Sequence, residues 1–477
     1  MAEYSMDKVL ENAGNAASMG QGEACAPASD SAGGALPTGR FANNYFDGVP
    51  VSGVHKFLFF IIMAAYFFEQ LDNWNFGFVA PALSQSWNLA MTDIATIVFW
   101  YFIGMTSGGF LGGVISDLIG RRKTFLCSIL VFSISSIVTG FTDSFAVFTV
   151  FRALTGFGVF CMMVTSQTYI AEMSPCESRG KWQGKVAAVG FCAVPVVAFL
   201  CRLIIPMGPE AWRIIFYAGG VGLVAFVFGL KYLKESPRWL VSRGRVAEAE
   251  AVVAFMTHRD IDLSAASRKV EAKVRFTSVL TGMFTRRYLL RTSLLILLFV
   301  TITPAGFLLT TWTTQLIKMK GFTVTESLTA ATIISIGVPI GCFLASLVSD
   351  RGGRKIPLGL LSVATGLSAI AFAFMDGLTG LICAGFTVTV VNMAVNFILF
   401  SYTAESYPTK MRNTATGFHN GLARLSVSAS QPLIPLIHQA YGFAGVFGAV
   451  GFLYLVPVVP LLLWGKRTGG KSLEEIE

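Results

Sequence analysis

Four charged residues lie inside long apolar runs of this 477-residue chain, where a charge is costly to bury. Glu69 and Asp72 are three residues apart, so they share one face of a helix. Arg152 and Arg424 stand in later runs. A carboxyl group in such surroundings can take up and release a proton, and an arginine keeps its charge and can hold a carboxylate. The four residues therefore predict a site that binds protons and an organic anion.

Each of the four can be given a role. We expect Asp72, together with Glu69, to carry the proton, and Arg152 to pair with Asp72 when that carboxyl is ionised. Arg424, with Asn420 one turn before it, is expected to bind the carboxylate of a substrate. A static Asp72–Arg152 pair that only holds two helices together is the structural alternative, and for Glu69 both interpretations stay open.

Other polar and aromatic side chains in the runs could contact a ligand, although such groups often only bond a neighbouring helix. Two tryptophans could stack on a flat ring, and two asparagines lie one turn apart. These candidates are Trp74, Gln167, Trp312, Gln315, Asn392, Asn396, His419 and Asn420. Neither the histidines nor the cysteines have metal-binding spacing, and no phosphate-binding Gly-x-x-x-x-Gly-Lys-Ser/Thr loop is present. We therefore expect no metal and no other cofactor.

The elements that position these residues follow from composition. Residues of the types AVILMFWYC make up 54% of the chain and charged residues only 13%, whereas a soluble protein carries about 25% charged residues. This excludes a soluble enzyme, a disulfide-linked secreted protein and a nucleic-acid-binding domain. Continuous apolar stretches without two-residue alternation predict membrane-spanning helices rather than a barrel. We predict twelve spans, at 57–83, 94–116, 124–142, 145–171, 186–206, 212–233, 289–315, 327–349, 356–375, 378–404, 414–437 and 443–464.

The net charge of +9 is explained by membrane topology, because clusters of Lys and Arg follow the even-numbered spans. The positive-inside rule then places these loops and both termini in the cytoplasm. Lys318 and Lys320, after span 7, are the main exception. We predict a disordered tail (1–52), a first six-span bundle (53–233), a cytosolic insert with amphipathic helices (234–288), a second bundle (289–465) and a short tail (466–477).

The two bundles carry a repeat. Three pairs of residues share an offset of 233 positions, namely Asp117 and Asp350, Glu172 and Glu405, and Arg179 and Arg412. This indicates a duplicated six-helix unit, the arrangement of transporters that alternate access around a site between their halves. The four charges in the apolar runs have no charged counterpart at this offset. They are therefore better explained by substrate binding and coupling than by architecture.

Several motifs resemble the major facilitator superfamily. They are the loop with Gly113, Asp117, Gly120, Arg121 and Arg122, its second copy with Asp350, Arg351, Gly353, Arg354 and Lys355, the run Arg152, Gly156, Gly158, and the segment from Glu235 to Leu240. Leu118 departs from the pattern, since that loop position usually carries Arg in the family. The resemblance implies an all-α membrane protein with twelve transmembrane helices in two pseudo-symmetric six-helix bundles.

The sequence of span 1 indicates which subfamily the chain resembles. Its sequence EQLDNWNFGFVAP is similar to the Asp-Gly-x-Asp segment of the aromatic acid/proton symporters, with Gly77 to Pro81 following Asp72. Glu69 replaces the first aspartate and Gln70 the glycine. Related organic-anion carriers have an arginine in span 11, as at Arg424, whereas the Glu-Ser-Pro-Arg motif is shared with sugar porters. The resemblance implies an anionic substrate.

Charges at the cytosolic ends of the helices suit a gate. Carboxylates and guanidiniums there could bond between the bundles when the inside is closed and separate when it opens. The candidates are Asp117, Arg121, Glu172, Arg179, Glu235, Arg238, Asp350, Arg354, Glu405 and Arg412. The alternative is that these charges only fix topology.

The sequence thus predicts a transporter and not an enzyme, because no nucleophile, base and oxyanion arrangement is evident. We expect proton-coupled uptake of a small organic, aromatic carboxylate by alternating access. The expected partners are that anion, protons and the lipid bilayer, with no nucleic acid, and the protein is expected to be a monomer in a bacterial inner membrane. Proton-driven export of small molecules and a non-transporting receptor with the same fold are the alternatives.

Overall fold

The computed structural model of the chain describes residues 45–46, 51–175, 178–257, 263, 276–349 and 353–466. The described residues form helices joined by short turns, and none of them is in a strand. We label the long helices in chain order: α1 Gly53–Ser86, α2 Met91–Ile119, α3 Arg121–Phe141, α4 Phe145–Met173, α5 Arg179–Met207, α6 Trp212–Tyr232, α7 Leu289–Thr311, α8 Val324–Val348, α9 Lys355–Ala373, α10 Leu378–Glu405, α11 Thr409–Ser430 and α12 Leu433–Trp464.

Eleven of these helices are long and apolar enough to cross a membrane, within the part of the chain that the structure describes. The remaining one is α11, which packs against α2 on one side and α7 on the other. A helix enclosed by other helices presents little surface to lipid, so it can carry polar residues such as His419 and Arg424. The twelve-helix fold expected from the sequence is confirmed.

Several long helices are interrupted. The predicted seventh span ran to residue 315, but α7 ends at Thr311 and a separate short helix, Thr313–Met319, follows Trp312. The predicted eleventh span, 414–437, crosses the junction between α11 and α12. Pro432 stands at that junction, and proline has no N–H to continue the helical bonding of the preceding turn. Within α12 the backbone leaves helical geometry at Gly442, next to the predicted start of span 12.

The helices form two halves, α1–α6 and α7–α12. In the first half α4 packs closely on α2, because glycines let the backbones meet. A Cβ on Gly104 or Gly108 would lie 2.0 Å and 2.3 Å from the carbonyl oxygens of Ala153 and Phe157 respectively. In the second half α9 packs on α10 and α12, and α8 packs on α10. The halves meet where α1, α2 and α5 contact α7, α8, α11 and the helix Thr313–Met319.

The insert between the halves contains short helices over its described residues, at Pro237–Ser242, Val246–Thr257 and Phe276–Met283. The first of them is fastened to the first half, since the indole Nε1 of Trp239 donates to the backbone oxygen of Asp117 at 2.9 Å. Residues 258–262 and 264–275 of the insert, and most of the predicted tails, lie outside the described residues. That these helices lie along the membrane surface stays a prediction.

Candidate functional site

Asp72 stands at the centre of a buried polar cluster in the first half. Its side chain is fully buried, and its Oδ2 lies 3.5 Å from Nη1 of Arg152 on α4. Its Oδ1 accepts hydrogen bonds from Ser136 on α3 and from Nδ2 of Asn75, the latter at 3.0 Å. The structure therefore brings Asp72 and Arg152 together. At 3.5 Å their contact is at the outer limit of a hydrogen bond.

Aromatic rings hold the guanidinium of Arg152. Its central carbon lies 4.7 Å from the ring centre of Tyr101, 5.4 Å from that of Phe216 and 5.6 Å from that of Phe76. Its Nε and Nη2 have no hydrogen-bond partner among the described residues. Ring faces attract a cation without neutralising it. Arg152 is thus held mainly by rings and by one carboxylate.

The hydroxyl of Ser136 can distinguish the two protonation states of Asp72. Its oxygen contacts both the Asp72 carboxyl and the backbone oxygen of Phe216, the latter at 2.9 Å. A hydroxyl has one hydrogen to donate and can also accept. Both contacts are hydrogen bonds at the same time only when Asp72 is protonated and donates to Ser136. The geometry can therefore accommodate a proton on Asp72.

Glu69 lies one turn before Asp72 on α1, and its side chain is also fully buried. Neither of its carboxyl oxygens has a hydrogen-bond partner among the described residues. It interacts electrostatically with Arg424 and with Asp72. Glu69 is therefore within electrostatic range of Arg424 and Asp72 but bonds to neither among the described residues.

Arg424 on α11 lies between two aromatic rings at the junction of the halves. Its guanidinium carbon is 4.8 Å from the ring centre of Phe160 on α4 and 4.6 Å from that of Phe307 on α7. The side chain is 8% exposed, and its Nη1 has no partner among the described residues. Buried N–H donors without partners are rare. This donor is free for an oxygen of a ligand.

An aromatic surface continues from Arg424. The ring of Phe307 is stacked on Trp74 of α1, with the ring centres 5.8 Å apart and the planes at 5°. Phe102 of α2 meets the same Phe307 ring edge-on at 5.1 Å. Flat aromatic faces beside a guanidinium can bind a planar anion such as an aromatic carboxylate.

Two cavities flank Trp74. The first, which we call the arginine cavity, is lined by Asn73, Trp74, Tyr101, Arg152, Phe307 and Thr311, with apolar neighbours. The second, the threonine cavity, is lined by Trp74, Phe78, Thr310, Thr313, Ser335 and Thr389, also with apolar neighbours. Trp74 is therefore a wall shared by both, between α1 and the second half.

The other predicted contact residues mostly bond their own helix or a neighbour. Trp312 donates from Nε1 to Oε1 of Gln431 at 2.8 Å, so Phe307, rather than Trp312, is the ring stacked on Trp74. Gln315 donates to Oγ of Ser84 at 3.4 Å across the junction of the halves.

The asparagines and the histidine of the second half belong to two buried networks. Asn392 accepts from Tyr454 and, at 2.9 Å, from Nδ2 of Asn396. His419 is within 3.0 Å of the Tyr407 hydroxyl through its Nε2. These contacts connect α10 with α12 and α11 with the end of α10, the structural role that polar groups in membrane helices often have.

Two remaining candidates make local contacts. Asn420 donates to the backbone oxygen of Thr416 at 3.0 Å, four residues before it on α11. The backbone oxygen of Gln167 accepts from Nε2 of Gln183 at 3.4 Å. Neither contact adds support for the predicted binding of a ligand by Asn420 or Gln167.

The gating candidates of the first half bond to one another. Nε of Arg121 lies 2.9 Å from Glu172, and its Nη1 lies 2.9 Å from Asp117. Oε1 of Glu235 accepts from the backbone N–H groups of Arg121 and Arg122 at 2.7 Å and 3.0 Å, which caps the start of α3. The cap reaches past Gly120, where a Cβ would lie 2.3 Å from the Glu235 carboxyl and the φ of +103° favours glycine.

The second half repeats this arrangement, with Nε of Arg354 2.7 Å from Glu405. Arg179, Arg238 and Arg412 lie at the same end of the molecule, and Asp350 lies outside the described residues. The three ion pairs Arg121–Asp117, Arg121–Glu172 and Arg354–Glu405 therefore join residues within one half. Bonds of this set between the halves, as expected for a closed inside, stay a prediction.

Several residues of the site escaped the sequence analysis because they carry no charge. Tyr101, Phe160 and Phe307 contact the two arginines, yet aromatic residues are common in apolar runs. Ser136 stands beside Ser135 and near Ser133 in one span, with no feature that selects it. Asn75 could have been found, because it follows Asp72 by three residues on the same helix face.

Comparisons with known proteins identify the family and the fold. A sequence profile described as the Major Facilitator Superfamily matches residues 62–432. A putative metabolite transport protein of Bacillus subtilis, YyaJ, is 32% identical over 437 residues, covering 91% of this chain and 97% of that protein. The niacin transporter NiaP of Acinetobacter baylyi is 26% identical over 90% of this chain and 98% of its own length. The xylose transporter XylE of Escherichia coli, solved in a partially occluded inward-open conformation, has a TM-score of 0.71 at 18% identity and covers 87% of this chain and 100% of that chain.

Proposed function

Because this chain belongs to the Major Facilitator Superfamily, whose members are membrane transporters and not enzymes, we propose that it takes up a small aromatic carboxylate together with a proton. The observation that carries the proposal is the environment of Arg424. A buried guanidinium with an unpartnered N–H lies against Phe307, whose ring is stacked on Trp74. Such a site offers a charge for a carboxylate and a flat surface for a ring.

Arg424 is the proposed carboxylate receptor because a guanidinium stays charged and presents parallel N–H donors. The ring of the substrate would then lie against the aromatic surface of Trp74 and Phe307, at the junction of α1, α7 and α11. A site at the junction of the halves can be opened to one side of the membrane and then to the other. Asn392, Asn396, Gln315 and His419 support the helices around it.

Asp72 is the proposed proton carrier. In its ionised form it pairs with Arg152, and in its protonated form it can donate to Ser136, so both states have partners in one place. The change of partner alters how α1 is held against α3 and α4. A movement of one half of the protein relative to the other could follow from this local change. Glu69 is a second acid close to this path.

The known substrate class of one relative supports the proposal. NiaP is a niacin transporter, niacin is a flat pyridine carboxylate, and NiaP aligns with 90% of this chain. An aromatic ring with one carboxylate fits the combination of a stacked aromatic surface and a free guanidinium N–H.

We further propose an inner-membrane location with both termini in the cytoplasm and a monomeric carrier. The clusters of Lys and Arg at the Asp117 end of the molecule support this orientation under the positive-inside rule. We call that end the inner end and the opposite one the outer end.

The test is uptake into proteoliposomes that contain the purified full-length chain. Labelled nicotinate and benzoate are offered with an imposed inward proton gradient, alongside nicotinamide and xylose as uncharged controls. We expect accumulation of a carboxylate that a protonophore abolishes. If no carboxylate accumulates, proton-coupled uptake is refuted. If the inward proton gradient instead drives preloaded carboxylate out, the alternative of a proton-driven exporter replaces it.

A further inference from the structure

Two cations join the halves at the outer end. Nζ of Lys318, after α7, donates to the backbone oxygen of Pro81 on α1 at 2.7 Å and to Oγ of Ser84 at 3.3 Å. Nε of Arg202 on α5 donates to Oγ1 of Thr329 on α8 at 2.6 Å. Each half thus contributes one cation and receives one, and every acceptor is a neutral oxygen.

The acids of the outer end are engaged elsewhere. Asp143 and Glu210 pair with Arg213 at 2.5 Å and 2.6 Å, and Asp376 pairs with Lys320 at 3.2 Å. Asp93 and Glu326 each accept from the backbone N–H of the residue that precedes their own helix, at 2.9 Å. Within the described parts of the chain, Lys318 and Arg202 therefore form no ion pair.

A gate of this composition behaves differently from one made of ion pairs. When an ion pair separates, it exposes one positive and one negative charge, and their fields largely cancel. When Lys318 and Arg202 leave their neutral acceptors, only positive charge is exposed. Two cations around one opening raise the local concentration of anions.

Residues close to both cations line the threonine cavity. Thr314, one turn before Lys318, and Ala331, two residues after Thr329, both line the threonine cavity. Trp74, which is stacked on Phe307 beside Arg424, also lines that cavity. Burial lowers the pKa of Lys318, so a more hydrated position would favour its charged form.

We propose that Lys318 and Arg202 form an anion-capture site at the outer end, which binds the carboxylate of an incoming substrate when the halves separate there and passes it to Arg424. This inference rests on the proposed function for the choice of a carboxylate and for the orientation. It also accounts for Lys318, one of the two lysines after span 7 that are the main exception to the distribution of positive charge.

The first experiment measures the field in the opening without any substrate. In the full-length chain, Ser335→Cys places a thiol on the wall of the threonine cavity, and peptide mass spectrometry separates its labelling from that of the native cysteines. The probes are an anionic and a cationic methanethiosulfonate of similar size. One unit charge about 8 Å away in water changes the ratio of the anionic to the cationic rate about fivefold at low salt, and less at physiological salt.

We expect this ratio, normalised to a free thiol, to exceed one, and to fall about fivefold at low salt when Lys318→Gln or Arg202→Gln is added. Lys318→Arg and Arg202→Lys keep the charge and should keep the ratio, which separates lost charge from lost folding. An unchanged ratio in both glutamine variants overturns the proposal. Equal acceleration of both reagents also overturns it, because it shows a gate without anion capture.

The second experiment uses transport. Lys318→Gln should raise the KM for external nicotinate about threefold to tenfold at low salt, while the KM for nicotinate leaving from the inner side stays unchanged. A uniform rise on both sides would contradict outer capture. If nicotinate is not transported at all, the proposed substrate fails, and the thiol experiment still decides whether the opening attracts anions.

Discussion

Replacing Asp72 by Asn should separate stability from coupling. Removing one partner of a buried ion pair costs about 3–5 kcal/mol when the other charge is left alone. Arg152 is not left alone, because three rings surround it and such contacts contribute about 0.5–2 kcal/mol each. The new amide also keeps an oxygen that Ser136 and Arg152 can reach. We therefore expect a loss of about 1–3 kcal/mol in the free energy of unfolding.

Two assays are needed for this variant. Thermal or denaturant unfolding in detergent measures the stability of Asp72→Asn, of Arg152→Gln and of the double variant. Because Asp72 and Arg152 are in contact, the double variant should lose less free energy of unfolding than the two single variants lose together. In proteoliposomes, Asp72→Asn should abolish accumulation driven by the proton gradient and leave exchange of labelled for unlabelled carboxylate measurable.

The outcomes distinguish the two interpretations of the pair. A loss of stability with normal gradient-driven accumulation would show a static ion pair and remove Asp72 from the mechanism. Loss of exchange as well as accumulation, in a protein that unfolds normally, would show that Asp72 is needed for substrate binding instead. Either result refutes the role of Asp72 as the coupling acid.

Three further results are expected. Gly77→Ala would place a Cβ 3.0 Å from a backbone oxygen of α7. Contact between the halves at the outer end should then be weaker by about 1 kcal/mol, and the Ser335→Cys thiol in the threonine cavity should be labelled about fivefold faster. Slower or equal labelling would contradict this. Arg424→Lys should raise the KM for carboxylates about tenfold or more, because an ammonium lacks the planar fork; an unchanged KM would remove it as the anion receptor. Desolvation alone would raise the pKa of Glu210, but bonds from Ser86 and Arg213 lower it overall. The bonds to ionised Glu210 therefore stabilise the fold at pH values above 4.5, the usual pKa of Glu, and this stabilisation is lost as the pH falls through the lowered pKa. Glu210→Gln should remove this part of the fall in unfolding temperature at acid pH.

Most of the fold could be predicted from the sequence, because the length and continuity of apolar runs determine where a chain can cross a membrane. Pro432 marks one break in the sequence, but the break at Trp312 has no such signal. Trp312 ends α7 inside the predicted seventh span, and its bond to Gln431 depends on a residue more than a hundred positions away. Local sequence carries no record of such a contact.

The residues of the candidate site also divide into those that the sequence indicates and those that only the structure reveals. Charge in an apolar run is conspicuous, so Asp72, Arg152 and Arg424 could be found from sequence alone. The rings that hold the arginines could not, since Phe160 and Phe307 come from different halves and only packing places them around Arg424. A gate at the inner end, where charges cluster, stays a prediction from the sequence. At the outer end Lys318 bonds a backbone oxygen of Pro81, an acceptor present at every residue, so no pattern could mark it.

The shared wall of the two cavities bears on how large a ligand the protein can hold. One side chain, Trp74, lines both the arginine cavity and the threonine cavity, so the size and orientation of its indole ring limit the room for a ligand in each of them. A smaller residue at this position would enlarge both cavities at once. Size selectivity in such carriers could then change by substitution at one position, without altering the charges that bind the anion and the proton.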